Sequence, residues 1–125
     1  MRVLIDTSTF IWMLNRPARL SREAARVLKK PDTVRELSVL SLTEIAAKIY
    51  ARKLDLTKEQ IRQEIAAVRM QLLPYNAGHA YTFFDMPMHH HDPFDRQIIA
   101  QAIAENIPIV TSDEVFEKYP VKVIW

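Results

Sequence analysis

Asp92-Pro93-Phe94-Asp95-Arg96-Gln97-Ile98-Ile99-Ala100-Gln101-Ala102-Ile103 is the stretch on which the reading of the chain turns. Asp92 followed by Pro93 marks a helix start: a side-chain acceptor at the N-cap, then a residue whose fixed φ suits the first helical position and which has no N–H to leave unpaired. Asp95 is then the third helical residue. Beyond it, Ile98, Ile99, Ala102 and Ile103 share one apolar stripe, while Gln97, Gln101 and Glu105 form the polar face. A carboxylate thus stands at the N-terminal end of a stripe meant for burial. Asn106 ends the helix, and Ile107 to Val110 reads as a strand.

Working outward, the same alternation recurs. Arg2 to Ile5 reads as a buried strand, and Asp6-Thr7-Ser8-Thr9 offers N-caps for a short helix over Phe10 to Leu14. Ser21-Arg22-Glu23-Ala24 opens a basic amphipathic helix that stops near Lys30-Pro31, and Glu36 to Leu40 reads as a second strand. Ser41-Leu42-Thr43-Glu44 has the form of a capping box, placing a helix from there to about Lys53. Thr57-Lys58-Glu59-Gln60 is another, opening a long helix through Ile61, Ile65, Val68 and Leu72. Leu72 to Tyr75 is a candidate third strand, Asn76 to Phe84 a helix, and Asp85 to His91 a loop broken by Pro87. Thr111-Ser112-Asp113 caps one more turn, and Val121 to Trp125 reads as a closing strand. Strands written as unbroken apolar runs and alternating with helices indicate an α/β fold with a parallel sheet covered on both faces.

Composition narrows the chemistry. With 125 residues, 49% of them hydrophobic, the sequence reads as a single domain over 1–125, long enough to bury roughly two-thirds of its unfolded surface. The absence of cysteine excludes disulfides, thiolate metal sites and thiol nucleophiles, and fits a reducing cytoplasm. Neither a signal peptide nor a membrane span is expected. Gly78 is the sole glycine, so neither a Walker-type loop, nor a dinucleotide fingerprint, nor a Gly-x-Ser-x-Gly nucleophile elbow can be written.

In open α/β sheets ligands gather outside the carboxyl ends of the strands. Four acids are expected in that region: Asp6 after the first strand, Glu44 after the second, Asp113 after the fourth, and Asp95 at the start of the preceding helix. Any one alone is explained by capping, since acids at helix N-termini satisfy orphan N–H groups. Together they repel one another unless a cation sits among them. Oxygen-only ligation selects a hard ion, Mg²⁺ or Mn²⁺. With those four set aside, 17 basic residues face 11 acidic ones. An acidic pocket in a basic surface suits a polyanionic substrate that needs a metal at its scissile phosphate.

These residues also carry a family resemblance along essentially the whole chain. Asp6-Thr7-Ser8, Ser38-Val39-Leu40-Ser41-Leu42-Thr43-Glu44-Ile45, Asp92-Pro93-Phe94-Asp95-Arg96 with Ala100-Gln101-Ala102, and Val110-Thr111-Ser112-Asp113 resemble the successive motifs of PIN-domain proteins. The likeness is closest to the VapC-like toxins of toxin–antitoxin pairs. It implies a three-layer PIN fold with a mostly parallel sheet of four to five strands. It also implies a Mg²⁺- or Mn²⁺-dependent endoribonuclease acting on RNA, a homodimer, and inhibition by a cognate antitoxin. The family's acidic positions carry over to Asp6, Glu44, Asp95 and Asp113, with the hydroxyl of Thr111 or Ser112 as an accessory. On this reading Asp6, Asp95 and Asp113 bind the metal, and Glu44 positions the attacking water or a second ion. One departure is local: Ser8 stands where close relatives often have His, and Arg52 where they often have Gly.

Other residues have competing readings. Consecutive His89, His90 and His91 point in different directions, which disfavours joint metal ligation; they are expected to flank the site. Arg96 is either a surface charge or a phosphate contact. Phe10, Trp12 and Met13 suggest core or a dimer interface, and Arg22, Arg26, Lys29 and Lys30 a solvated face. An aspartyl-phosphate hydrolase would want a carboxylate where Ser8 stands, and a receiver module an acid within Leu73-Pro74-Tyr75-Asn76. The remaining alternative is a catalytically silent RNA-binding or regulatory module of the same fold.

Overall fold

The computed structural model describes residues 1–125. Five strands, β1 (Arg2–Ile5), β2 (Val34–Ser38), β3 (Gln71–Leu73), β4 (Ile109–Val110) and β5 (Val123–Ile124), form one sheet in the order β3-β2-β1-β4-β5. Every pairing is parallel. The helices are α1 (Thr7–Asn15), α2 (Arg22–Lys29), α3 (Val39–Tyr50), α4 (Lys58–Ala67), α5 (Ala77–Phe84) and α6 (Pro93–Glu105), with single 3₁₀ turns at Pro17–Arg19 and Glu114–Lys118. The expected α/β architecture is the one observed, with all five strands parallel.

Alternation along the strands divides the interior. Val3 and Ile5 of β1, with Leu37, Val110 and Ile124, join Phe10 of α1, Ala24, Val27 and Leu28 of α2, Ile45 of α3 and Ile61 of α4. Leu4, Leu73 and Ile109 point the other way, onto Ile98, Ile99 and Ala102 of α6 and onto Phe116 and Tyr119. Successive side chains on a strand face opposite sides, so a central strand covered on both faces must be apolar throughout. No helix is long and apolar enough to cross a membrane.

Several boundaries differ from the sequence reading. Strand β2 stops at Ser38, whose hydroxyl accepts the Leu40 N–H, so α3 begins at Val39 rather than at Ser41. The apparent capping box at Ser41 is not used, because the Ser41 hydroxyl lies inside the fold and accepts a hydrogen bond from Thr7 Oγ1 at 2.9 Å. Helix α1 begins at Thr7, capped by Asp6, three residues before the expected Phe10. Helix α4 ends at Ala67 instead of continuing to Leu72. There Arg69 turns to φ 53, and Met70 N–H bonds to Ile65 O. The same left-handed C-terminal turn recurs with Arg52 at φ 58 after α3 and Asn106 at φ 54 after α6. Glycine is the usual residue there. Arg52 thus occupies a backbone geometry that explains why glycine suits the position.

Gln101 is also not on a polar face. It is fully buried, and its amide donates toward the carbonyls of Leu73, which ends β3, and of Pro74 just after it. Trp12 packs against Trp125, ring centroids 5.8 Å apart, beneath the guanidinium of Arg19, and Phe10 is core. Arg22, Arg26, Lys29 and Lys30 are exposed.

At the amino ends of the strands, a polar network fastens the sheet to α6. Arg2 binds both carboxylate oxygens of Glu36 at 2.6 and 2.9 Å and reaches Glu105 at 3.0 Å. The far oxygen of Glu105 meets His79 Nε2 at 2.9 Å. His79 Nδ1 accepts the Asn76 N–H, so the ring is neutral with its proton on Nε2. Glu36 is buried, and removing its partner strands a charge. Arg2→Ala is expected to destabilise the fold by about 1–3 kcal/mol, a value kept low because Arg2 itself is partly solvated. Urea unfolding at neutral pH checks this, with Glu36→Gln expected to cost less.

Candidate functional site

Strand order reverses between β1 and β4, and the crevice at their carboxyl ends is where a ligand site is expected. Asp6 leaves β1 into that crevice and is 6% exposed. Its Oδ1 accepts the Thr9 N–H at 2.7 Å, capping α1, and its Oδ2 accepts the Thr111 hydroxyl at 2.5 Å. Thr111 Oγ1 in turn accepts the Asp113 N–H at 3.1 Å. One threonine thus links the residues that follow β1 and β4. Ser112, the other candidate hydroxyl, is exposed. Asp113 caps the 3₁₀ turn through Val115 N–H.

Glu44 comes from α3. Because that helix starts early, Glu44 lies in its second turn rather than at the strand-to-helix corner. The Thr7–Ser41 hydrogen bond ties the first turns of α1 and α3 together, and Glu44 follows Ser41 by three residues, on the same side of the helix. Its side chain is 12% exposed; Oε2 lies 3.4 Å from Lys48 Nζ, and Oε1 is buried with no hydrogen-bond partner.

Asp95 arrives from α6, whose N-cap Asp92 accepts the N–H groups of Phe94 and Asp95. The division of labour read from the sequence, Asp92 as cap and Asp95 as the inward carboxylate, is the geometry seen. Burial first, and then the carboxylates of Asp92, Glu44, Asp6 and Asp113, push the Asp95 carboxyl up to about 7. Asp6 is pushed up as well, by burial and by Asp113, against the downward pull of the Thr111 and Thr9 hydrogen bonds. The four acids therefore share one electrostatic neighbourhood.

No three of these side chains close into a ready-made metal cage. The donor set nevertheless fits a hard divalent cation: carboxylate oxygens only, an orphaned Glu44 oxygen, and an Asp95 carboxyl whose ionisation is opposed by burial first and by the neighbouring acids second. Asp6, Asp95 and Asp113 are the residues that would hold it.

Arg96 is neither of the things its sequence position suggested. It is buried, its guanidinium is stacked 4.8 Å from the Phe83 ring, and it donates to Pro87 O. It braces α5 and the following loop against α6, which removes it as a substrate contact. His90 is the residue the sequence undervalued. Its Nε2 lies 3.4 Å from Asp95 Oδ2 and its Nδ1 2.7 Å from the Tyr119 hydroxyl. No local pattern marks Tyr119, which lies 29 residues further along the chain.

Comparison with known proteins agrees with this architecture. A family model described as PIN domain matches residues 3–122. Among solved structures, VapBC2 from Rickettsia felis, bound to a DNA fragment from their promoter, is similar with a TM-score of 0.73 and 18% identity, covering 98% of this chain and 97% of that one. DNA-bound VapBC from Salmonella typhimurium gives 0.69 and 19%, covering 98% and 96%. VapBC-5 from Mycobacterium tuberculosis, a member of the VapBC family of toxin-antitoxin systems, gives 0.60 and 20%, covering 98% and 94%. No curated protein sequence matches significantly.

A carboxyl raised from 3.8 to about 7 keeps its proton in the folded state across a pH range where the unfolded chain has lost it. Folding stability then falls as pH rises through that window, and the penalty is complete above it. In EDTA, Asp95→Asn is expected to be more stable than wild type at pH 8 by about 1–2 kcal/mol, well below the unscreened linkage value because the carboxylate is partly solvated. At pH 4 the difference should disappear. Urea titrations at both pH values measure it.

Proposed function

The chain belongs to the PIN domain family, and on that premise we propose that it is a metal-dependent endoribonuclease, the toxin of a toxin–antitoxin pair. The observation that carries this reading is the Asp95 carboxyl, raised to about 7 by burial and by the four other acids around it. A part-buried carboxyl with four other acids beside it suits a site completed by a divalent cation, which would offset both the burial and the repulsion. The basic excess outside the acids, 17 against 11, supports a polyanionic substrate.

Each residue has a task in this proposal. Asp6, immobilised by Thr9 and Thr111, is the fixed anchor; Asp95 and Asp113 close the site from α6 and from the end of β4. Glu44, with one oxygen unpartnered, orients the attacking water and accepts its proton. Bound there, Mg²⁺ or Mn²⁺ supplies Lewis-acid polarisation of the phosphate and charge neutralisation. In-line attack of the water oxygen at phosphorus breaks the P–O3′ bond; the 3′-oxygen takes a proton from solvent to leave as a 3′-hydroxyl, and the phosphate stays on the 5′ side. Asp6→Asn keeps the helix cap, since an amide oxygen still accepts the Thr9 N–H, and is expected to lower RNA cleavage by on the order of 10²-fold or more. Single-stranded RNA incubated with Mn²⁺ or with EDTA provides the assay. Equal cleavage by the variant and wild type, or cleavage in EDTA, refutes the assignment; no cleavage by wild type under either condition favours the silent RNA-binding module.

An antitoxin surface is part of the same reading. Helices α3 and α4 enclose a groove of about 930 Å³, floored by Leu42, Ile49, Ile61 and Ile65 and rimmed by Arg62 and Arg69. Its apolar floor and cationic rim suit an apolar helix flanked by acidic residues, and the similarity to VapBC structures supports an antitoxin as its occupant. A homodimer belongs to the reading as well; Tyr81 and Phe84 on α5 are large exposed apolar groups available to a second copy. Ala46 and Ala66 line the groove yet are exposed, so Ala46→Glu with Ala66→Glu should leave the fold intact. Burying those charges is expected to weaken capture of the adjacent gene's product by about 10-fold or more in titration calorimetry.

A further inference from the structure

Tyr119 is 3% exposed among the apolar side chains beneath α6, yet its hydroxyl reaches into the loop that precedes that helix. It lies 3.3 Å from His89 N, 3.3 Å from His90 N and 2.7 Å from His90 Nδ1. The rings of His89 and His90 both meet Tyr119 edge-on, with centroids 5.0 and 5.5 Å away. Backbone N–H groups can only donate, so two of the three contacts are bonds the phenol oxygen accepts. A hydroxyl has two lone pairs and one proton. Its proton is therefore left for His90 Nδ1, which must be an acceptor. The imidazole proton is then on Nε2, 3.4 Å from Asp95 Oδ2. His90 provides the one hydrogen bond that the protein makes to this carboxylate.

We propose that His90 is a positioning residue for Asp95, its tautomer and ring orientation set by Tyr119, so that Nε2–H turns the Asp95 carboxylate toward the other acids. The inference rests on the reading of Asp95 as a metal-binding acid. A hydrogen bond between side chains 19% and 22% exposed adds little to folding stability. Its consequence lies in orientation, as for the outer hydrogen bonds that aim metal-binding carboxylates.

The geometry separates two kinds of substitution. His90→Leu removes the donor. His90→Gln keeps an amide N–H within reach of the same oxygen. Long-range ¹H–¹⁵N spectra of the wild-type imidazoles should show His90 as the Nε2–H tautomer, and Tyr119→Phe should convert it to a mixture. Mn²⁺ titration should show affinity reduced by about 10- to 100-fold in His90→Leu and largely restored in His90→Gln, with unfolding midpoints of both variants close to wild type. A wild-type His90 carrying its proton on Nδ1, or Mn²⁺ affinity unchanged in His90→Leu, overturns the proposal. Wild-type protein that binds no Mn²⁺ refutes the metal-site reading instead, and the tautomer spectra, which need neither metal nor RNA, then decide the His90 geometry alone.

Discussion

The buried Asp6 carboxylate is the contact through which the fold and the site depend on each other. It caps α1 through the Thr9 N–H and accepts the Thr111 hydroxyl from the end of β4. The first bond fixes the start of α1, and the second adds a side-chain tie between the ends of β1 and β4, which already pair through their backbones. Without them the buried Asp6 carboxyl would have no hydrogen-bond partner, which is costly. The group that organises the crevice is also the one whose chemistry the crevice would use.

From that anchor the other acids are placed by rigid elements. Glu44 is carried by α3, which runs directly out of β2 and is pinned to α1 by Thr7 and Ser41. Asp95 is carried by α6, whose start is fixed by Asp92 and Pro93 and whose body is buried against β1 and β4. Neither helix can move to relieve repulsion without opening apolar contacts. The electrostatic cost at Asp95 is therefore retained, and is held in place by packing elsewhere.

What could be read from the residues, and what could not, follows from the range of the forces involved. The parallel sheet was legible because Val3, Leu4 and Ile5 must all be apolar when both faces are covered, and the start of α6 because Asp92-Pro93 has few other uses. The start of α3 was misread because Ser38 and Ser41 are equally plausible caps in one dimension, and only the distant Thr7 hydroxyl explains why Ser41 is engaged elsewhere. Gln101 and Arg96 were placed on the outside by their polarity, yet each finds its partners from α5 or the loops beside it. Asp6, Asp95 and Asp113 could be brought to one edge by topology alone. The Tyr119–His90 contact could not, since it joins a loop to a residue far along the chain with no periodicity to announce it.

The left-handed turns that end α3 and α4 have a kinetic side. A non-glycine residue there costs about 1 kcal/mol relative to glycine, and in both turns the residue is arginine. Arg69 borders the apolar groove between these helices, and Arg52 lies in the adjoining depression with Ile49 and Leu56. A glycine would relax the backbone and leave the rim bare. With arginine, the entrance to the groove keeps a positive field that reaches about 8–10 Å into physiological salt, which would speed the arrival of the acidic partner proposed above before any apolar contact forms. A partner recruited in that way would associate faster at low ionic strength, and the strain in the turns is the counterpart of that speed.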